Sequence, residues 1–482
     1  MKKHVLGSLI ATAIGNLPLT AFADEAAVTL EALNAKLNQL LAENQDLRER
    51  IGQLENKADN TSAEVYAANR NLDPSNVVTI NSDFSYDMLD PATKRNRKQL
   101  HILEAKKTDT LQANTVTLGG AITTIADYQK SNSEGKFGYL MRHPTSNNQR
   151  SKEVSEAVIH SAQFSLLGTI GDWTTAYVEM LYNPEQSFGS GTITDLNRNQ
   201  VQVRRAYALF GNLEQSPYFL SIGKMATPFG LTDTVNPFTA SSVWHAFGGL
   251  AYGLNAGYYN HGFNVNLMAV QGGAQFRGHN VPVDDSNVPS KLNNYVADMN
   301  YTFALDQAEL LLGASYTKGT AYCQDFPVTH FSSCKDENGA YDLYTQYESD
   351  RWQLMAEFAK TEDKWAGTYN PTIPQFGAEK VSSFVTGAKY KTRLFDHRFD
   401  LSAEFSRFKA GPDDAPWEKQ DQWVLGFASY LQKNVKLFGE YVRTEGYTPL
   451  NFISGGNLGP GQTHSDSNAH SDVFLLGANI AF

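Results

Sequence analysis

From Asn114 onward, apolar and polar residues alternate in segments of about ten, the period-two signature of strands with one apolar and one polar face. Sixteen such segments run from "TVTLGGAITTIADY" through "QVQVRRAYALFG", "AELLLGASYT" and "RFDLSAEFSRF" to "SDVFLLGANIAF" at Phe482. Their connectors alternate in length. Short ones sit near Asp172, Asn260, Asp306, Asp350 and Lys433, and long ones occupy residues 129–155, 226–247, 272–291, 317–338 and 444–469. An apolar strand left unpaired at a chain end invites aggregation, so the last segment is expected to close against the first. The pattern predicts an all-β transmembrane barrel of about 16 antiparallel strands over 113–482, with short periplasmic turns, long external loops and both ends in the periplasm.

Ahead of the barrel the pattern changes period. Residues 1–23 read as a signal peptide: Lys2 and Lys3, an apolar run from Val5 to Leu19, then Ala21-Phe22-Ala23. Residues 24–60 carry Leu30, Leu33, Leu37, Leu40, Asn44, Leu47, Ile51, Leu54 and Ala58 at alternating spacings of three and four, which predicts a short α-helical coiled coil ahead of the barrel. Glu43 with Arg48 and Arg50 with Glu55 are attractive flanking pairs in a parallel arrangement, and Asn44 at a seam position would fix register. The expectation is a periplasmic homo-oligomer, dimer or trimer; an amphipathic helix lying on its own barrel is the alternative. Residues 61–112, broken by Pro74 and Pro91 and carrying "KRNRK", read as a periplasmic connector with no folded plug.

Charge narrows the partners. Loss of Lys2 and Lys3 with the signal takes the formal charge from −11 to −13, which argues against nucleic acid. The remaining expected partners are outer-membrane lipid, the barrel-assembly machinery that reads a terminal aromatic strand, and a small-molecule solute. Cys323 and Cys334 lie close together in an exported, polar stretch and are expected to form a disulfide pinning an external loop. His330 between them is too little to mark a metal site. No nucleophile–base set, phosphate-cradling glycine loop or cofactor motif stands out, so no catalytic residue, metal or cofactor is assigned.

Sixteen strands can enclose a water-filled channel. Strand parity puts Glu179, Asp298, Glu309, Asp342, Glu348, Glu357, Asp400, Glu404 and Glu440 on the pore-lining face as acids, and Arg204, Lys389 and Lys436 as bases. The stretch "ATPFGLTDTVNPFTASSVWHAFGG" is aromatic and nearly uncharged for an external loop. It is expected either to fold inward as a constriction, with Phe229, Phe238 and Trp244 against the wall, or to line a subunit interface.

Two stretches, "RRAYALFGNL" from Arg204 and "IGKMATPFG" ending at Gly230, resemble the phosphate-selective porin O/P family. That resemblance implies a basic, anion-passing lumen, from which the acidic parity count departs. The order of signal peptide, coiled coil, "FSYDMLDPATKRNRKQLHILEAKK" and barrel resembles the LbtU-family siderophore porins. This second resemblance implies uptake of iron bound to a polycarboxylate siderophore without a plug domain. A general or ion-selective porin, and a structural outer-membrane tether acting through the coiled coil, are the alternatives.

Overall fold

In the computed structural model the described residues are 77–81, 98–137, 151–182, 201–271, 292–320, 322, 337–364, 379–448 and 465–482, all within a compact unit spanning Asp73–Phe482. The coiled-coil segment with Asn44, and Cys323 and Cys334, lie outside the described residues.

Alternation is realised as strands. A short strand β1 (Val78–Ile80) and a helix α1 (Lys98–Lys107) precede the barrel strands β2 (Val116–Ser131), β3 (Glu153–Ile170), β4 (Thr174–Tyr182), β5 (Val201–Gly211), β6 (Tyr218–Ala226), β7 (Leu250–Asn260), β8 (Phe263–Gln271) and β9 (Leu292–Leu305). The circuit continues through β10 (Ala308–Thr317), β11 (Ala340–Ser349), β12 (Trp352–Lys364), β13 (Lys380–Leu394), β14 (His397–Lys409), β15 (Lys419–Gln432), β16 (Val435–Tyr447) and β17 (Asp466–Ala481). Each of these sixteen coincides with one of the alternating segments, and a short helix α2 (Ser242–Phe247) lies in the connector between β6 and β7.

Every barrel strand pairs antiparallel with its sequence neighbours, and β17 pairs with β2 from Ser471↔Ser131 to Ala481↔Ala121. The barrel is therefore closed and leaves no long edge. Phe482 and Gly120 exchange both backbone hydrogen bonds at 2.8 Å. Beyond them β2 continues unpaired by β17, and β1 takes that edge in parallel, Val78↔Val116 to Ile80↔Leu118.

The outer face is apolar along every strand, with Leu267, Leu343, Leu425 and Leu476 exposed to more than half their area. Phe474, Leu476, Ile480 and Phe482 on the closing strand share this face. Aromatic side chains flank it toward the loop end (Tyr128, Tyr252, Tyr341, Phe474) and toward the turn end (Trp173, Phe210, Tyr218, Trp352). The inner face carries the buried carboxylates, amides and hydroxyls together with an apolar cluster.

The connector expected over 61–112 does not stay clear of the barrel. Within it α1 buries Leu100, Ile102 and Leu103 almost completely, and Ile102 and Leu103 share one apolar cluster with the inward side chains Leu167, Tyr177, Tyr207, Leu209, Phe219 and Met225. The segment read as a periplasmic connector over 61–112 thus includes a helix packed on inward side chains of the barrel.

Candidate functional site: the barrel lumen

The long connector 227–249 is the main object inside the barrel. It leaves β6 at Thr227 and rejoins β7 after Gly249, and its backbone is fastened to the opposite wall. Gly230 takes φ +67°, and a Cβ there would collide with Glu357, so the turn that brings the chain against β12 requires glycine. Beyond it the Gly230 amide donates to Ser315 Oγ (2.9 Å) and the Thr232 amide donates to Glu357 Oε1 (2.8 Å). The Val235 amide donates to Glu404 Oε2 (3.0 Å), as does Thr234 Oγ1 (2.7 Å). The Phe238 and Thr239 amides both donate to Glu440 Oε1, at 2.7 and 2.9 Å.

Three carboxylates on β12, β14 and β16 thus accept successive loop amides. Hydrogen bonds contribute roughly 0.5–1.5 kcal/mol each, and more to a charged acceptor, and all three acids are buried. Apolar contacts complete the seat. Phe238 stacks on Phe438 with ring centroids 5.4 Å apart and meets His160 edge-on at 4.8 Å. Phe229 lies against Phe247, and Tyr322 donates its hydroxyl to the Ala246 carbonyl at 3.0 Å. The loop ends in α2, capped by the Ser241 hydroxyl, which accepts from the Trp244 amide; Ser242 reaches Ser383 Oγ (2.7 Å). Trp244 itself is half-buried against His245.

The other acids assigned by parity are each engaged differently. Asp298 accepts from Ser315, Tyr344 and Asn300 at 2.7–3.0 Å. Glu179 on β4 holds Arg205 at 2.8 Å, Arg204 at 3.4 Å and the Tyr177 hydroxyl at 3.0 Å. Glu348 pairs with Lys391 (2.8 Å) and Asp400 with Arg398 (2.7 Å). Asp342 lies beside Gly230, and Glu309 is half-buried near the turn end of β10. Among the bases, Lys436 donates to the Pro237 carbonyl (3.0 Å) and Lys389 to Gln353 Oε1 (3.2 Å).

Parity missed several charged groups that face inward. Arg205, not Arg204, stands opposite Glu179, because a register shift between Glu179 and Met180 makes Arg204 the extra residue of a bulge. The adjacent "RR" was the available signal, since two neighbouring arginines cannot both obey alternation unless the strand is interrupted. Lys391, Arg398 and Asp127 also belong to the inner face, and the loop supplies buried Asp233.

No family model matches the chain. A stretch is 27% identical over 172 residues to the UPF0422 protein of Coxiella burnetii (strain RSA 493 / Nine Mile phase I), covering 35% of this chain and 34% of that one. The chain thus spans about a third of the length of the curated relative it matches. Among solved structures it is similar to the anion-selective porin from Comamonas acidovorans (13% identity, TM-score 0.46, 76% of this chain and 99% of that one). It is also similar to Pseudomonas putida OprB (10%, 0.46, 76% and 94%) and to the outer membrane channel DcaP of Acinetobacter baumannii (13%, 0.45, 76% and 97%). Likeness at this level says nothing about what this barrel passes.

Proposed function

We propose that this chain is an outer-membrane porin that passes small solutes through the space left beside its inward-folded loop. The observation that carries this reading is closure with opposite faces: each barrel strand has two antiparallel neighbours, the outer side chains are apolar, and the inner face carries the carboxylates, amides and hydroxyls beside one apolar cluster. A membrane interior tolerates no unpaired backbone group, and a closed barrel is the strand architecture that leaves none. A polar interior of sixteen strands is wide enough for water.

The solute assigned is a ferric polycarboxylate siderophore, on the resemblance of the N-terminal arrangement, with Arg204, Lys389 and Lys436 as anion contacts. The coiled coil over 24–60 is assigned as the homo-oligomerising element in the periplasm. Purified protein in planar bilayers is expected to give discrete conductance steps, and a complete lack of conductance would favour the tether reading instead. Cells lacking the chain should lose iron uptake from the siderophore and regain it on complementation. Unchanged uptake would remove the siderophore while leaving the porin.

A further inference from the structure

We propose that α1 is a resident plug lodged in the channel, and that the channel reaches its full width when α1 leaves the wall; this rests on the porin reading above. The helix lies along β5 and β6 inside the barrel. Its Gln99 side chain donates to Met225 Sδ (3.2 Å) near the loop end of β6. Its Leu103 methyl lies 3.1 Å from where a Cβ on Gly211, at the turn end of β5, would stand. Lys98 is within electrostatic reach of Glu179, the acid that gathers Arg204 and Arg205.

The helix therefore occupies the wall facing the loop. One continuous apolar cluster runs from Ile102 and Leu103 through Leu209 and Met225 to Phe229 and Phe247. Loop and helix both fill part of the lumen, and the open cross-section is what both leave.

One feature marks the seat as one that can be vacated. The hydroxyls of Tyr207, in the cluster that α1 shares, and of Thr175 on the neighbouring strand are buried without a hydrogen-bond partner among the described residues. Withdrawal of the helix would let water satisfy them, so docking carries a built-in cost. The chain holds α1 from both sides, since β1 is paired to β2 before it and Leu111 to Thr115 lead directly into β2 after it. A displaced helix stays tethered and can return.

Single-channel recording on the full mature chain tests this. Leu100→Asp with Leu103→Asp should raise conductance severalfold, while heat-modified gel mobility shows the barrel intact. A second variant, Leu103→Cys with Gly211→Cys in a Cys323→Ser, Cys334→Ser background, should hold the low level when oxidised and switch to larger, fluctuating openings when reduced. Wild-type conductance in the aspartate variant, or identical conductance of the oxidised and reduced pair, would overturn the plug while leaving the porin reading intact. No conductance in any form would overturn both.

Discussion

Glu440 shows how much a single side chain does in the lumen. It accepts the consecutive amides of Phe238 and Thr239 as well as the Thr239 hydroxyl. Glu440→Ala would remove the carboxylate that accepts both loop amides, at a cost of about 2 kcal/mol or more. Limited proteolysis should then cut within 227–249 faster than in the wild type. Glu440→Gln, which keeps one acceptor oxygen, should fall between the two, and equal cutting of all three would dismiss the anchor. Phe395 offers the opposite case. It sits at φ 50° beside Asp396 at φ 63° in the two-residue turn between β13 and β14. A bulky residue is strained by roughly 1–2 kcal/mol in that conformation, and its ring is 87% exposed, so little burial is lost by removing it. Phe395→Asn should therefore raise the urea midpoint of barrel unfolding; a lower midpoint would show that the ring contributes more than the strain costs.

The seam between β17 and β2 is where the element scale is most exposed to test. Phe482 covers Gly120 on the outer face, and a Cβ at Gly120 would collide with its ring, whereas one at Gly168 meets nothing within 4 Å. Gly120→Val should delay formation of the compact, heat-modifiable species during refolding, and Gly168→Val should not. Equal delays would mean that strand propensity alone decides the rate. The strands themselves were legible in the sequence because one face meets an apolar exterior and the other a polar interior, which writes period two directly into the residues. The loop's aromatic, uncharged composition likewise pointed at an interior seat or an interface, although the acids that anchor it could be read only as lumen charges. Helix α1 was not legible. Its buried positions, Gln99, Leu100, Ile102, Leu103 and Ala105, are spread around the helix instead of forming a stripe, so "KQLHILEAKK" shows no 3.6 period. Arg205 escaped for the related reason that one bulge reverses parity without leaving a mark in composition.

At the scale of the whole molecule, acids still outnumber bases on the inner face after Arg205, Lys391 and Arg398 join Arg204, Lys389 and Lys436. Glu357, Glu404 and Glu440, which accept loop amides, belong to that acidic excess and to its field. Low-dielectric walls focus that field. Reversal potentials at low salt are expected to show cation preference, declining once the Debye length falls below about 8 Å; anion preference would contradict the inward assignments. The outer face has a further consequence. On β17 the outward residues between Phe474 and Phe482 are Leu476, Ala478 and Ile480. Eight residues at about 3.3 Å each, tilted by about 40°, rise roughly 20 Å between the two rings. The hydrocarbon that this belt can match is thin, so the barrel should be most heat-resistant in short-chain lipid. In long-chain lipid the surrounding bilayer would have to compress to meet it.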